Sequence, residues 1–464
     1  MSVLPEIFNL AEPTQFERFV EKSDIIEINP SDGQNNIRDF GGQLRFYFTC
    51  DRYCLLSSPR SGFRCRVGFL TRGDGTAVNI NNNNMNANIT LANNWFGHLF
   101  KSARLSISGK PIEHVLELGT SMDILYHLKG DDFKNQSGSL CGFIPDENSG
   151  LADQIEYTSS VTAAQAAGQA AFNPAMTKNV NFNNGYKRRM EQYNYTVANN
   201  DTVRYAECFI SLSHIFGFCN DIEKLIKFVN VEIEMIRAQN NNLISFGAAN
   251  YSMAFGDPVT TGLLKLKLEI ETIRPSPEIM VMMNEQIKTP IRCNFLERIC
   301  ENRPATTNQT VQFNANKFNA PRFIFIVSHT PDRNLFTHCN IEKISVSVGD
   351  EIYPNLDQGT NFLENTYTKF YQSYLDSAEY FNGKPSLSMK EFKDLYSIFC
   401  IDTSNQTEKI LGQNRSTGFV IHRRELPADN ALRQNQQNVQ YYILTLNQCS
   451  FEIDCIQNIV KQIN

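Results

Sequence analysis

The chain has 464 residues, 41% of them hydrophobic, with 43 Lys+Arg against 49 Asp+Glu and a formal net charge of -6. That balance argues against a polyanion-binding body, because phosphate binding needs a basic surface. The length fits two large β-rich domains or three smaller ones, with ample chain for a core.

About fifty asparagines, with 33 Phe and 17 Tyr beside one Trp, lean towards strands joined by Asn-rich turns. Residues 1–22 read as an N-terminal arm with one short helix. Thr14-Gln15-Phe16-Glu17 forms a capping box, and Phe16, Phe19 and Val20 then share a face. Such an arm docks on its own domain or latches a neighbouring subunit. From there the pattern has period two. Leu44, Phe46 and Phe48 make one strand, and Phe63, Cys65, Val67 and Phe69 make another. Asn79 to Asn94 is an Asn-rich loop. Glu113 to Leu128 carries helical spacing, interrupted by Gly119. Asp131 to Asn184 is a long connection with little periodicity, of the kind that usually has a task. Val231, Ile233 and Met235, then Leu264, Leu266, Leu268 and Ile270, alternate with charged residues as strands buried on one face. That favours antiparallel sheets.

Ile273-Arg274-Pro275-Ser276-Pro277 suggests a boundary near residue 280, giving a first domain over 23–280 and a second over 281–464. The second block repeats the theme with Phe323 to Val327, with Ile344, Val346 and Val348, and with Tyr442, Leu444 and Leu446. A helix is expected over Asn361 to Tyr374. A faint repeat links the halves. Leu105 to Ile112 resembles Val346 to Ile352, each an alternating strand, a glycine turn and an apolar return, with one residue inserted in the first. Cys208 to Leu212 and Tyr396 to Cys400 are apolar segments placed late in their halves.

Sites for chemistry are sparse. Seven histidines form no HxxxH or HExxH pair, and no Cys-x-x-Cys occurs, so no metal site is expected. Neither a phosphate-binding glycine loop nor a GxSxG elbow is present, and carboxylates such as Asp51, Asp123 and Asp402 are dispersed. No enzyme and no cofactor is expected. No apolar run reaches the ~20 residues of a membrane span. The N-terminus shows no signal peptide, so the twelve scattered cysteines read as reduced, mostly buried thiols in a cytosolic or nuclear compartment. Arg72-Gly73-Asp74 is a candidate receptor-binding tripeptide, although Gly-Asp-Gly is also ordinary turn chemistry after a strand. Lys187-Arg188-Arg189 is a short basic cluster. A solvated loop or pairing with acids on a neighbour is favoured over a nucleic-acid contact or a nuclear-import signal, because the rest of the chain is not basic.

Several segments together resemble a known family. Asn94-Trp95-Phe96-Gly97-His98-Leu99-Phe100-Lys101, followed by Ser108-Gly109-Lys110, is similar to an early motif of the double jelly-roll major capsid proteins of adintoviruses, Polinton-like viruses and Maverick/Polinton elements. So is Phe209 to Phe218, followed by a strand ending Met235-Ile236-Arg237, with Ser211 where the family's Ile-Pro-Leu version has proline. Ile401-Asp402-Thr403-Ser404-Asn405-Gln406 resembles a late motif. The resemblance runs over roughly residues 25–455. It implies an all-β fold of two tandem jelly-roll sandwiches with short inserted helices. It further implies a homotrimeric, pseudo-hexameric capsomer of an icosahedral virion. That capsomer would touch neighbouring capsomers, penton and other minor capsid proteins, with assembly in the host nucleus or cytoplasm and no sequence-specific nucleic-acid binding. Loops 79–94 and 131–184 would supply intersubunit contacts or an outward tower. A secreted lectin-like sandwich, a glycoside hydrolase and a domesticated cellular copy of a capsid gene are the competing readings.

Overall fold

A strand with alternating apolar and polar residues has one face to bury, and antiparallel sheets stacked face to face bury it. The computed structural model describes residues 19–31, 41–73, 89–147, 183–193, 204–239, 245–247, 251–255, 264–303, 309–315, 321–329, 335–349, 351–354, 358–381, 383–404, 417–425 and 440–463. The first half holds β1 (Val20–Ile28), β2 (Gln43–Thr49), β3 (Tyr53–Leu55), β4 (Gly62–Gly73), β5 (Ile89–Leu91), β6 (Phe100–Ile107), β7 (Lys110–Leu116), β8 (Arg204–Ser211), β9 (Asn230–Arg237), β10 (Ser245–Gly247), β11 (Tyr251–Phe255) and β12 (Leu264–Pro275). The second holds β13 (Ile291–Arg303), β14 (Thr310–Ala315), β15 (Pro321–His329), β16 (Ile341–Val348), β17 (Glu351–Tyr353), β18 (Phe399–Asp402), β19 (Thr417–Arg423), β20 (Gln440–Asp454) and β21 (Ile459–Ile463).

Each half wires its strands into two sheets in the same order. In the first half β1-β12-β4 lie side by side with β8 and β11 on β4, and the facing sheet runs β2-β9-β6-β7. In the second half the orders are β13-β20-β15-β18 and β14-β19-β16-β17. The pairings are antiparallel. So β1, β12, β4 and β8 correspond to β13, β20, β15 and β18, and β2, β9, β6 and β7 correspond to β14, β19, β16 and β17. Each half is a jelly roll, and the fold is all-β with short inserted helices.

The faint sequence repeat is this wiring seen locally. Ile107 pairs with Lys110 and Ser106 with Pro111 around Ser108–Gly109, as Val348 pairs with Glu351 and Ser347 with Ile352. Ser108 and Gly109 hold φ of 52° and 75°, the left-handed backbone that a two-residue hairpin turn needs. The inserted residue is Ile112, a β-bulge, since the next pair is Leu105 with Glu113. The two late apolar segments fall in or beside β8 and β18, which are equivalent strands.

Two apolar cores result. One is built on Leu44, Phe46, Phe63, Cys65, Leu105, Ile233 and Leu266, the other on Phe325, Ile326, Val346, Phe419, Ile421 and Leu444. Neither stops at the middle of the sequence. Cys293, Phe295, Phe451 and Ile453 pack into the first core, while Ile124, Leu125 and Leu128 pack into the second. The helix Leu118–Leu128 lies between the two and is buried on every side.

The structure corrects several expectations. Residues 20–22 are strand, not arm: Val20 pairs with Pro275 and Lys22 with Arg274. The capping box Thr14–Glu17 lies outside the described residues. The helix expected from Glu113 begins only at Leu118, because Glu117 takes a left-handed backbone (φ 46°) after β7. The helix expected over Asn361–Tyr374 is shifted to Thr368–Tyr380; Asn361 and Thr366 close a bridged turn in which Asn365 has φ 57°. The connection 131–184 is not one loop. Helical turns cover Gly130–Cys141, Phe143 and Ile144 are buried, a further helix runs Asn184–Tyr193, and 148–182 lie outside the described residues. Of the stretch 79–94, Ile89–Leu91 is strand β5 paired with β10.

Candidate functional site

The seam between the two jelly rolls holds a buried carboxylate and a buried guanidinium. Its centre is Glu113, which the β7 bulge turns inward. Glu113 Oε1 accepts from the backbone N–H of Gly217 (3.0 Å) and Arg298 (2.9 Å), and Oε2 accepts from Phe218 N–H (3.0 Å). Arg298, on β13 of the second half, is buried beside it and donates to the carbonyls of His214 (2.6 Å) and Ser213 (2.9 Å). Burial pushes the Glu113 carboxyl up to about 7, against Arg298 and the three backbone donors that pull it down. One carboxylate therefore ties β7, the turn at 217–218 and β13 together. Gly217 is required there, since a Cβ would overlap the Leu296 carbonyl. Sequence reasoning missed Glu113. The signal was a carboxylate set between Ile112 and Val115 on a strand.

The segments that carry the family resemblance serve the same seam. Asn94 takes φ 50° and donates from Nδ2 to the Gly119 carbonyl (3.1 Å). The helix Trp95–Leu99 that follows is buried throughout. His98 Nε2 meets Asp123 Oδ2 at 2.7 Å, both side chains being buried. Gly97 and Gly119 leave no room for a side chain between these two helices. The second motif supplies β8, the helix Leu212–Ile215 and the Gly217 turn, with His214 Nδ1 near Tyr126 Oη (3.4 Å) and Cys141 Sγ (3.5 Å). In the late motif Thr403 donates to the Pro321 carbonyl (2.7 Å) and Ser404 N–H to Asp402 (2.7 Å); Asn405 and Gln406 lie outside the described residues. These motifs build packing and turns.

The basic cluster pairs with acids of its own chain. Arg189 is fully buried, donating to Asp146 Oδ1 (2.6 Å) and to the carbonyls of Leu91 (3.0 Å) and Ile144. Arg188 faces Glu147 (3.9 Å) and Lys187 faces Glu191 (3.7 Å). Asp146 N–H donates to Tyr396 Oη (2.8 Å), which brings this cluster also onto the second half. Expected on a solvated loop or against acids of a neighbour, the cluster lies instead on the helix Asn184–Tyr193, and its acids belong to its own chain. Arg72 and Gly73 belong to β4, opposite Ser252 and Tyr251 of β11, so the strand runs further than Phe63–Leu70; Asp74 lies outside the described residues. Eleven of the twelve cysteines are buried, Cys449 is half-buried, and all are free thiols. Among the described residues no three His, Cys, Asp or Glu side chains converge as a metal site, and no helix is long and apolar enough to cross a membrane.

An open groove of about 840 Å³ runs along the seam. Phe133, Phe295, Leu446 and Tyr380 are among its apolar lining residues, and Lys129, Arg298, Arg322 and Asp221 line it with charge.

A search of curated proteins finds no match. Among solved structures, the Sputnik virophage capsid resolved by cryo-EM superposes with a TM-score of 0.60 at 10% identity, covering 100% of this chain and 92% of that one. The mavirus major capsid protein gives 0.57 at 8% identity over 100% and 95%. PBCV-1 VP54, fitted into a Sputnik reconstruction, gives 0.52 at 8% identity over 97% and 99%. At such identities the likeness is one of fold. A model of the double jelly roll-like domain matches residues 151–421, more than half of the sequence, and the chain belongs to that family.

Proposed function

We propose that this chain is the structural major capsid protein of a double-stranded DNA virus or virus-like element in the adintovirus, Polinton-like virus and Maverick/Polinton group. Three copies form a pseudo-hexameric capsomer of an icosahedral shell, and the role is structural, not catalytic. The observation that carries the reading is the doubled wiring. Two jelly rolls of one strand order in one chain give a trimer six like units around its axis, a block that tiles a hexagonal lattice. The fold likeness to capsid proteins of Sputnik, mavirus and PBCV-1 supports it. So does the spending of buried polar groups on internal bonds: His98, Glu113, Arg189 and Arg298 all bond within the chain. On this reading the first domain takes in β1 from Val20 and runs to about residue 280, the second covers 281–464, and the capsomers contact penton and minor capsid proteins in the virion.

The test is the solution mass. Light scattering of purified protein is expected to give three times 52.8 kDa, about 158 kDa, with six-cornered outlines in micrographs. A monomer under all conditions would overturn the proposal.

The net charge of -6 and the internally paired Lys187–Arg189 cluster leave genome neutralisation to other proteins. Duplex DNA is expected to bind no tighter than the weak non-specific range, a Kd of about 10⁻⁴–10⁻⁶ M at physiological salt. Electrophoretic shift at nanomolar protein would contradict this. For the tripeptide Arg72-Gly73-Asp74, a receptor role predicts that Asp74→Glu abolishes cell adhesion to the assembled protein; unchanged adhesion removes it.

A further inference from the structure

Two cations of the seam groove, Lys129 and Arg322, have no carboxylate bonded to them among the described residues, whereas Arg298 is offset by Glu113 and Asp221. Lys129 is half-buried and its Nζ lies over the Phe133 ring, 5.3 Å from the centroid, with no oxygen acceptor among the described residues. Arg322 spends its guanidinium on neutral acceptors, Gln448 Oε1 and the Ser404 carbonyl. Arg298 likewise bonds carbonyls. Asp221, the groove's acid, is already used: Oδ2 accepts Leu296 N–H (2.8 Å) and Oδ1 accepts Asn220 Nδ2 (2.7 Å). An ammonium held against an aromatic face and removed from water gains strongly from a carboxylate. The walls mix apolar Phe133, Phe295 and Leu446 with polar Asn220, Asn294 and Gln448, and Tyr380 remains 57% exposed. The groove thus fits an extended segment that carries both carboxylates and large apolar side chains.

We infer that residues 1–18 of this chain dock in the seam groove, their glutamates set against Lys129 and Arg322. The sequence of that segment has Glu6, Glu12 and Glu17 against the single Arg18, and it offers Leu4, Ile7, Phe8, Leu10 and Phe16 to the apolar lining residues. The other long segments outside the described residues fit less well. Residues 148–182 set Asp153 and Glu156 against Lys178 and are rich in alanine, and 426–439 pair Asp429 with Arg433. Eighteen extended residues reach up to about 60 Å, enough to reach a groove on the same copy or on a neighbour. The inference stands whether or not the chain builds a shell.

The test uses the full chain, a zero-length carbodiimide and mass spectrometry. Lys129 is expected to become joined to Glu6, Glu12 or Glu17, and the linkage is expected to fade in about 0.5 M salt. Lys129→Arg keeps the charge and should remove the link. The triple variant Glu6→Gln, Glu12→Gln, Glu17→Gln leaves both cores untouched, and in it trypsin is expected to cut after Arg18 about tenfold faster. Mixing ¹⁴N- and ¹⁵N-labelled protein shows whose segment occupies the groove, and either answer supports docking. Exposed lysines linking while Lys129 stays unlinked, or Lys129 linking only to carboxylates outside 1–18, would overturn it. An unchanged cleavage rate in the triple variant would do the same.

Discussion

Glu113→Gln is expected to lower the stability of the protein by about 1–3 kcal/mol, the cost of leaving a buried hydrogen-bond donor without its acceptor. Three backbone N–H groups point at the carboxylate from two separate segments, and Arg298 supplies the compensating charge. Glutamine keeps one acceptor oxygen and turns an NH₂ group towards an N–H, so at least one buried donor loses its partner and the Arg298 charge loses its counter-ion. Because Gly217 and Phe218 belong to one half and Arg298 to the other, the damage falls on the docking of the jelly rolls. Urea unfolding followed by Trp95 fluorescence should show an earlier first transition, with the two halves separating into distinct steps. Glu285→Gln removes an exposed carboxylate paired with Lys288, and it should change stability by less than about 0.5 kcal/mol. Equal behaviour of the two variants would refute the assigned role of Glu113.

The strands were legible because one-sided burial writes period two directly into the sequence. Phe63, Cys65 and Val67 alternate with Arg64 and Arg66, which lie on the outer face; Arg64 there pairs with Glu269 (2.5 Å) and Arg66 stacks on Tyr205. The hairpin repeat was legible for the same reason, down to the inserted residue. What stayed hidden depends on partners far away in sequence. Glu113 looked like the start of a helix because a bulge puts both Ile112 and Glu113 inside, which breaks the alternation. Arg189 looked like surface charge because Asp146 is distant in sequence and no local pattern announces it. The helix Leu118–Leu128 was legible as a helix but not as the layer between two cores, since burial on all sides leaves no polar face to orient it.

Acidification pulls this fold in two directions. His127 and His338 are buried and His214 is half-buried, and desolvation depresses all three. His127 falls to about 3 and His338 to about 4, while His214 falls well below its ordinary value beside Lys129 and Arg298. The geometry agrees. His338 Nδ1 accepts the Asn340 N–H (2.9 Å) and its ring stacks on Phe362, and His127 lies against Tyr396 with centroids 4.0 Å apart. A folded-state pKa below the unfolded value of 6.5 gives stability that is complete above pH 6.5. That stability is lost as pH falls towards the folded value, because only the unfolded chain takes up the proton. Between pH 6.5 and 4 each such histidine forfeits about 3 kcal/mol, at 1.36 kcal/mol per pKa unit. Glu113 works in the opposite sense: its carboxyl, raised to about 7, returns about 3 kcal/mol as pH falls from 7 to 4.5, and Asp123 and Glu117 act with it. The separable quantity is therefore the slope owed to one histidine. His127→Phe replaces a ring packed among Phe143, Phe336 and Tyr396 by another ring, and it should flatten the fall in unfolding midpoint over pH 6.5–4 by about 3 kcal/mol. Parallel curves for the variant and the parent would mean that His127 is protonated in the folded chain.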